Sequence, residues 1–232
     1  MNENGYFALL TEEKGFKAEI VVYDKNGEEF YKWHSAENFV TDITLSPSNT
    51  AFAASALDYS DGALKSKLLI FDTTHEEPKI TDANENFTQI EFIGRSKIAV
   101  VSDNAVSVYS TGGNRLWQHS FGNKTVFAYK IKGGKIAAAA GDSNLGTETL
   151  DVLMFNDGGK AVVNFKNKGE AVCLDILGND VLIAGKRYMR VADNKEKWYL
   201  KTGKDIASAQ FFGNNKTALV HSGALVQLEY FE

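Results

Sequence analysis

The chain has 232 residues, 44% of them hydrophobic and 24% charged, which supports a packed core and argues against disorder. A formal net charge of −5, with no clustered stripe of Lys and Arg, argues against a nucleic-acid surface. A lone cysteine, Cys173, excludes an intrachain disulfide, and no stretch approaches the roughly 20 apolar residues of a membrane helix.

The start, Met1-Asn2-Glu3-Asn4-Gly5, has neither a basic segment nor an apolar run, so it does not read as a signal peptide. From Tyr6 onward the chain repeats itself. The repeated core is an apolar strand that ends in an aromatic and a small polar residue, then a turn, then another strand. The copies are Val22-Tyr23-Asp24, Ile70-Phe71-Asp72, Val108-Tyr109-Ser110, Met154-Phe155-Asn156 and Val191-Ala192-Asp193, with a degenerate sixth at Leu228-Glu229-Tyr230. They recur every 37 to 48 residues, close to the roughly 40–50 of a propeller blade. Two polar insertions, Asp58 to Gly62 and Gly141 to Glu148, account for most of the extra length in the longer steps.

Each period predicts short strands bounded by turns. In the second period these are Phe39 to Leu45, Ala51 to Ala56, Lys67 to Phe71 and a weak strand near Lys79-Ile80. The fourth period gives Val126 to Ile131, Ile136 to Ala140, Thr149 to Phe155 and Lys160 to Phe165, separated by Gly-Gly and Asn-Asp-Gly-Gly turns that favour positive φ. Second strands are small and apolar throughout, as in Ala51-Phe52-Ala53-Ala54, Ile98 to Val101, Ile136 to Ala140 and Val181 to Ala184. Such runs fit strands covered on both faces and are too short for stable helices. Last strands carry a bulky ring, Trp33, Trp117, Phe165 or Trp198, which reads as packing against the next blade.

The expected fold is therefore all-β: a β-propeller of about six four-stranded antiparallel blades in one domain, residues 1–232. The blades fall near 1–36, 37–82, 83–122, 123–167, 168–202 and 203–232. The strand at Tyr6 to Leu10 matches a second strand, and the one at Ala224 to Glu229 matches a third. Each terminal blade is thus expected to be one strand short. Either these blades complete each other in a ring of six, or the chain is part of a larger seven- or eight-bladed ring. A gap could also be filled by a second copy in a dimer, because isolated edges invite pairing.

Several stretches resemble a known family. They are Gly5 to Leu10, Ile20-Val21-Val22-Tyr23-Asp24-Lys25-Asn26-Gly27-Glu28-Glu29, Asp42-Ile43-Thr44-Leu45-Ser46-Pro47 and Ser60-Asp61-Gly62-Ala63-Leu64-Lys65-Ser66-Lys67. Together they are similar to uncharacterised propeller proteins of Gram-positive bacteria with WD40-like and quinoprotein-like repeats. The resemblance implies an N-terminal membrane helix and further blades upstream, an extracytoplasmic setting and no assigned activity.

Candidate chemistry is sparse. The four histidines, His34, His75, His119 and His221, are scattered and lack metalloprotease spacing; they read as solvated surface residues. Asp58, Asp61 and Gly62, and likewise Asp142, Asn144 and Glu148, form weak calcium-like clusters that miss the EF-hand pattern and read as polar loops. Three sequons begin at Asn86, Asn123 and Asn215. Cys173 reads as a small buried hydrophobe. No nucleophile elbow, phosphate loop or dinucleotide fingerprint occurs. The tryptophans that follow Gly27 and Gly113 resemble the blade-docking motif of quinoprotein dehydrogenases, but no cofactor or calcium ligands of that family can be placed here.

No catalytic, cofactor-binding or metal residues are thus assigned, and no cofactor. The expected function is a non-catalytic binding, scaffolding or sensor module with a protein or cell-envelope partner, outside the cell. The rival is an enzyme or small-ligand binder whose site is assembled from several blades.

Overall fold

The computed structural model describes residues 1–232 except 60, 61, 63, 143–148, 214–216, 224, 231 and 232. No helix occurs among the described residues. Twenty-two strands form six antiparallel sheets, each a simple meander in which sequence neighbours pair. The first sheet comprises β1 (Phe7–Thr11), β2 (Ala18–Tyr23) and β3 (Glu29–Ser35). The second comprises β4 (Phe39–Leu45), β5 (Ala51–Asp58), β6 (Lys65–Asp72) and β7 (Lys79–Asp82). The third comprises β8 (Phe87–Phe92), β9 (Lys97–Ser102), β10 (Ala105–Ser110) and β11 (Arg115–Ser120). The fourth comprises β12 (Thr125–Lys132), β13 (Lys135–Gly141), β14 (Thr149–Asn156) and β15 (Ala161–Lys168). The fifth comprises β16 (Cys173–Leu177), β17 (Asp180–Gly185), β18 (Tyr188–Ala192) and β19 (Glu196–Lys201). The sixth comprises β20 (Ser208–Phe211), β21 (Thr217–Ser222) and β22 (Leu225–Tyr230). Contacts divide the chain into two compact units, Met1–Gln118 and His119–Glu232.

The repeated aromatic-Asp element has a local physical cause. Asp24 Oδ1 accepts from the backbone N–H groups of Asn26 and Glu28 at 2.8 and 2.9 Å. Asn156 Oδ1 does the same for Gly158 and Lys160 at 3.1 and 3.0 Å. In both hairpins a glycine closes the turn with positive φ, 81° at Gly27 and 83° at Gly159. A register shift follows, between Val22 and Tyr23 and between Met154 and Phe155. This is a turn with a bulge, in which a short polar side chain holds the backbone that the glycine lets turn.

The second strands are buried along their length. Phe52, Ala53, Ala54, Ile136 to Ala140 and Val181 to Ala184 are all inaccessible. The cores lie between consecutive sheets. Ala137 and Ala139 of the fourth sheet pack with Leu174, Ile176, Val181 and Ile183 of the fifth, and the small alanines let the two sheets approach. In the first unit, Ile20 and Val22 pack with Phe52, Ala54, Leu69 and Phe71. The last-strand rings cover these seams. Trp33 lies edge-on to Phe71 of the next sheet at 5.1 Å, Phe165 packs on the core of the fourth and fifth sheets, and Trp198 on that of the fifth and sixth.

First strands meet their neighbours in a different way. Asp42 Oδ2 and Thr44 Oγ1 on β4 accept from the backbone N–H groups of Ile90 and Phe92 on β8, at 2.9 and 3.1 Å. Cys173 Sγ and Asp175 Oδ2 on β16 accept from Ala209 and Phe211 on β20, at 3.1 and 2.8 Å. First strands are sheet edges, and side chains at i and i+2 supply partners to N–H groups that no strand pairs.

Close packing singles out Gly185. A Cβ there would fall 2.1 Å from the Tyr188 ring. The ring cannot retreat easily, because its hydroxyl accepts from Asn167 Nδ2 at 2.7 Å and donates to the Glu170 carbonyl. Gly185→Ala is expected to lower stability by about 1–3 kcal/mol, measured by the shift of a urea unfolding midpoint at unchanged slope.

Candidate ligand-binding cleft

A cleft of about 600 Å³ opens between the second and third sheets, within the first unit and in the size range of small-ligand sites. Its floor is the end of β6, Ile70 and the buried ring of Phe71, beside Ala51 at the start of β5. One wall is the β6–β7 loop with Asp72, His75 and Glu77, followed by Lys79 on β7. Arg95, from the β8–β9 turn, and Thr111 and Gly112, from the β10–β11 turn, also line it.

The loop wall is braced from two sides. Asp72 Oδ1 accepts from Thr74 N at 3.0 Å and Thr74 Oγ1 at 2.8 Å, and these bonds hold its carboxyl below the usual range. Tyr31 on β3 donates to the carbonyls of His75 and Glu76 at 2.9 and 2.8 Å. Its burial, with Glu77 and Glu76 nearby, raises the phenol's pKa and keeps the donor protonated. The Trp33 indole N–H reaches Glu77 Oε2 at 3.5 Å.

The charges are unevenly satisfied. Asp72 already faces His75 at 3.6 Å and feels Lys79. Arg95 is exposed, and its guanidinium has no partner among the described residues. A free guanidinium presents a planar fork of donors suited to a carboxylate. No activated nucleophile is evident in the cleft: Thr74 Oγ1 donates to Asp72 and sits 3.0 Å from His75 Nδ1 on an exposed loop. The arrangement is suited to binding.

The residues singled out in the sequence do not converge. Of the four histidines, only His75 lines the cleft; His75 and His221 are exposed. Two are not the solvated side chains expected. His34 stacks on Phe16 at 4.5 Å and meets Glu19 at 2.6 Å. His119 is wedged near Phe121 and Phe155, each at 4.9 Å, and burial lowers its pKa. Cys173 is half-buried and hydrogen-bonded rather than a plain buried hydrophobe, because its strand is an edge that uses the thiol as an acceptor. Burial raises that thiol's pKa.

Asp58 pairs with Lys67 at 2.8 Å. Asp61, Asn144, Glu148 and Asn215 lie outside the described residues, and Asp142 is exposed. Asn123 is exposed, whereas Asn86 is half-buried with its carbonyl oxygen unbonded. Among the described residues no three His, Cys, Asp or Glu side chains group to hold a metal, and no helix is long and apolar enough to cross a membrane. Arg95 carried no motif, and nothing in the sequence marks it: it is a lone basic residue in a turn.

One buried carboxylate outside the cleft makes stability pH-dependent. Glu19 accepts from Thr11 Oγ1 at 2.6 Å and pairs with Lys32 at 3.1 Å and with His34. The Thr11 bond first, then Lys32 and His34, outweigh burial and take its pKa from 4.5 to about 2. A depressed folded-state pKa stabilises the fold above the unfolded value, and that contribution disappears as pH falls through the folded one. Stability is therefore expected to drop between 4.5 and about 2, with a shallower drop in Glu19→Gln, read by unfolding midpoints across that range.

The comparisons agree with this fold. A family model described as "Family of unknown function (DUF5711)" matches residues 1–229. No curated protein matches the chain. Among solved structures, Kluyveromyces lactis Hsv2 with its loop 6CD replaced by a Gly-Ser linker superposes with a TM-score of 0.65 at 12% identity, over 98% of this chain and 74% of that one. The Dos1 propeller gives 0.66 at 15% identity, over 90% of this chain and 61% of that one. The Cps50 (Swd1) β-propeller domain of Myceliophteria thermophila gives 0.61 at 9% identity, over 97% and 80%. The chain has the β-propeller fold.

Proposed function

The chain belongs to this family of unknown function, and on that premise we propose that it is a non-catalytic binding module whose ligand is a carboxylate-bearing or acidic segment of a protein or cell-envelope partner. The observation that carries this reading is the unpartnered Arg95 guanidinium on the wall of a braced cleft that also contains Lys79 and His75. The apolar floor of Ile70 and Phe71 supplies buried area, and the cations supply orientation. An extracytoplasmic position, with a membrane anchor and further blades upstream, is the finer part of the proposal and rests on the resemblance of residues 5 to 75. Treating residues 1–232 as six blades of one domain belongs to the same reading.

The test is titration of residues 1–232 with a labelled poly-glutamate peptide, and with a poly-glutamine peptide as its neutral match. Saturable binding of the acidic peptide, weakened at least about ten-fold by Arg95→Ala, is the expected result. Equal binding of both peptides, or no effect of Arg95→Ala, would overturn the reading.

A further inference from the structure

The sixth sheet ends on β22, which is built as an interior strand yet lies at an edge. In sheets two to five a fourth strand follows the third: β7, β11, β15 and β19. In the first sheet β3 plays this role after β2. By its place after the second strand, β22 corresponds to the interior strands β2, β6, β10, β14 and β18. Among the described residues its far side has no strand.

The strands that do form this kind of edge are protected. β3 carries Glu29 and Lys32, β11 carries Arg115, β15 carries Lys166 and Lys168, and β19 carries Glu196, Lys197 and Lys201. The pairings of β3, β15 and β19 are also broken by register shifts. Charges and bulges are how edge strands avoid further pairing. β22 has neither device in strength. Its register with β21 runs unbroken from Leu225 to Tyr230, and its one charged residue is Glu229. Val226 and Tyr230 are 57% and 73% exposed, and Leu225 and Leu228 are exposed as well. Beside it, Leu200, Thr202, Ile206, Val220, Gln227 and Glu229 line a cavity of about 320 Å³.

We propose that β22 accepts a strand donated by a separate polypeptide, which becomes the fourth strand of the sixth sheet. The molecule's own fourth strands define what fits: an extended segment as long as β19, six residues, with a central aromatic side chain between charged residues. The other described strands are already paired within their own sheets, so none of them is available to fill the place. Backbone pairing supplies affinity, and the side-chain alternation supplies selectivity. A second copy suits the edge less well, because its β22 lacks both the aromatic centre and the flanking charges of β3, β11 or β19.

The probe is a fluorescent peptide carrying the β19 sequence from Lys195 to Thr202, titrated onto residues 1–232. Saturable binding is expected. N-methylation of alternate peptide amides should weaken it at least about ten-fold, as should the peptide's Trp198→Ala version. Leu228→Lys in the protein should weaken it too, and an unchanged thermal melt shows that this variant is folded. The N-methyl comparison uses the unaltered protein, so it decides the question even if the variant unfolds. Equal binding of the N-methylated peptide, or no binding by a monomer, overturns the proposal. So does a concentration-dependent dimer, seen by sedimentation, that Leu228→Lys dissolves, since a second copy then holds the edge. None of these readouts involves Arg95, so failure here is distinct from failure of the cleft reading.

Discussion

Phe71→Ala is expected to lower stability by about 3–5 kcal/mol, the cost of removing a large buried ring whose neighbours cannot close the space. Phe71 is inaccessible and stacks on Phe52 at 4.2 Å with the rings 7° apart. Trp33 and Tyr31 meet it edge-on at 5.1 and 6.1 Å. These rings come from the first and second sheets, so one truncation opens the seam between them. Tyr31 and Trp33 also hold the cleft's loop wall. Loss of the ring should therefore weaken ligand binding at temperatures where the chain is still folded. Urea midpoints read the first effect, and peptide titration below the transition reads the second. A loss under about 1 kcal/mol would mean that the rings repack.

The fold was legible because its signals are local and repeated. A strand that ends in Tyr23-Asp24 or Phe155-Asn156 carries its own turn, since the side-chain oxygen and the glycine that close the turn lie within a few residues. The all-apolar runs at Ala51 and Ile136 announce burial on two faces. The short terminal sheets followed from the same register, with three strands each in the first and the sixth. What could not be read is whatever depends on neighbours distant in sequence. His34 and His119 look like surface residues until Glu19, Phe16 and Phe155 surround them. The cleft brings Arg95 to face residues some 20 positions earlier, across two sheets, and a lone arginine in a turn has no pattern to betray it. The ladder of Asp42, Thr44, Cys173 and Asp175 left a fainter trace. Each pair has the i, i+2 spacing of one strand face, but its partners are backbone N–H groups 36 or 48 residues away.

Asp175→Ala is the sharpest test of that ladder, with an expected loss of about 2–4 kcal/mol. Asp175 is buried, and its carboxylate accepts from three hydrogens: two contacts from Lys132 Nζ at 2.9 and 3.0 Å and one from Phe211 N at 2.8 Å. Hydrogen bonds to a charged group contribute about 1.5–3 kcal/mol, and a buried donor left unsatisfied costs about 1–3 kcal/mol. Lys132 can turn to water, because its side chain is 44% exposed. The amide of Phe211 cannot, because it belongs to a buried residue on the edge of β20. The unsatisfied N–H should therefore dominate the loss, and Lys132→Ala alone should cost much less. Asp175→Asn separates the two contributions. It keeps one carbonyl oxygen for Phe211 but forfeits the charge that holds Lys132, so its loss should lie between those of Asp175→Ala and the wild type. Amide hydrogen exchange gives the local readout: Phe211 N–H should lose protection in Asp175→Ala and keep most of it in Lys132→Ala. Equal loss of protection in the two variants would place the stabilisation in the ion pair and not in the strand edge.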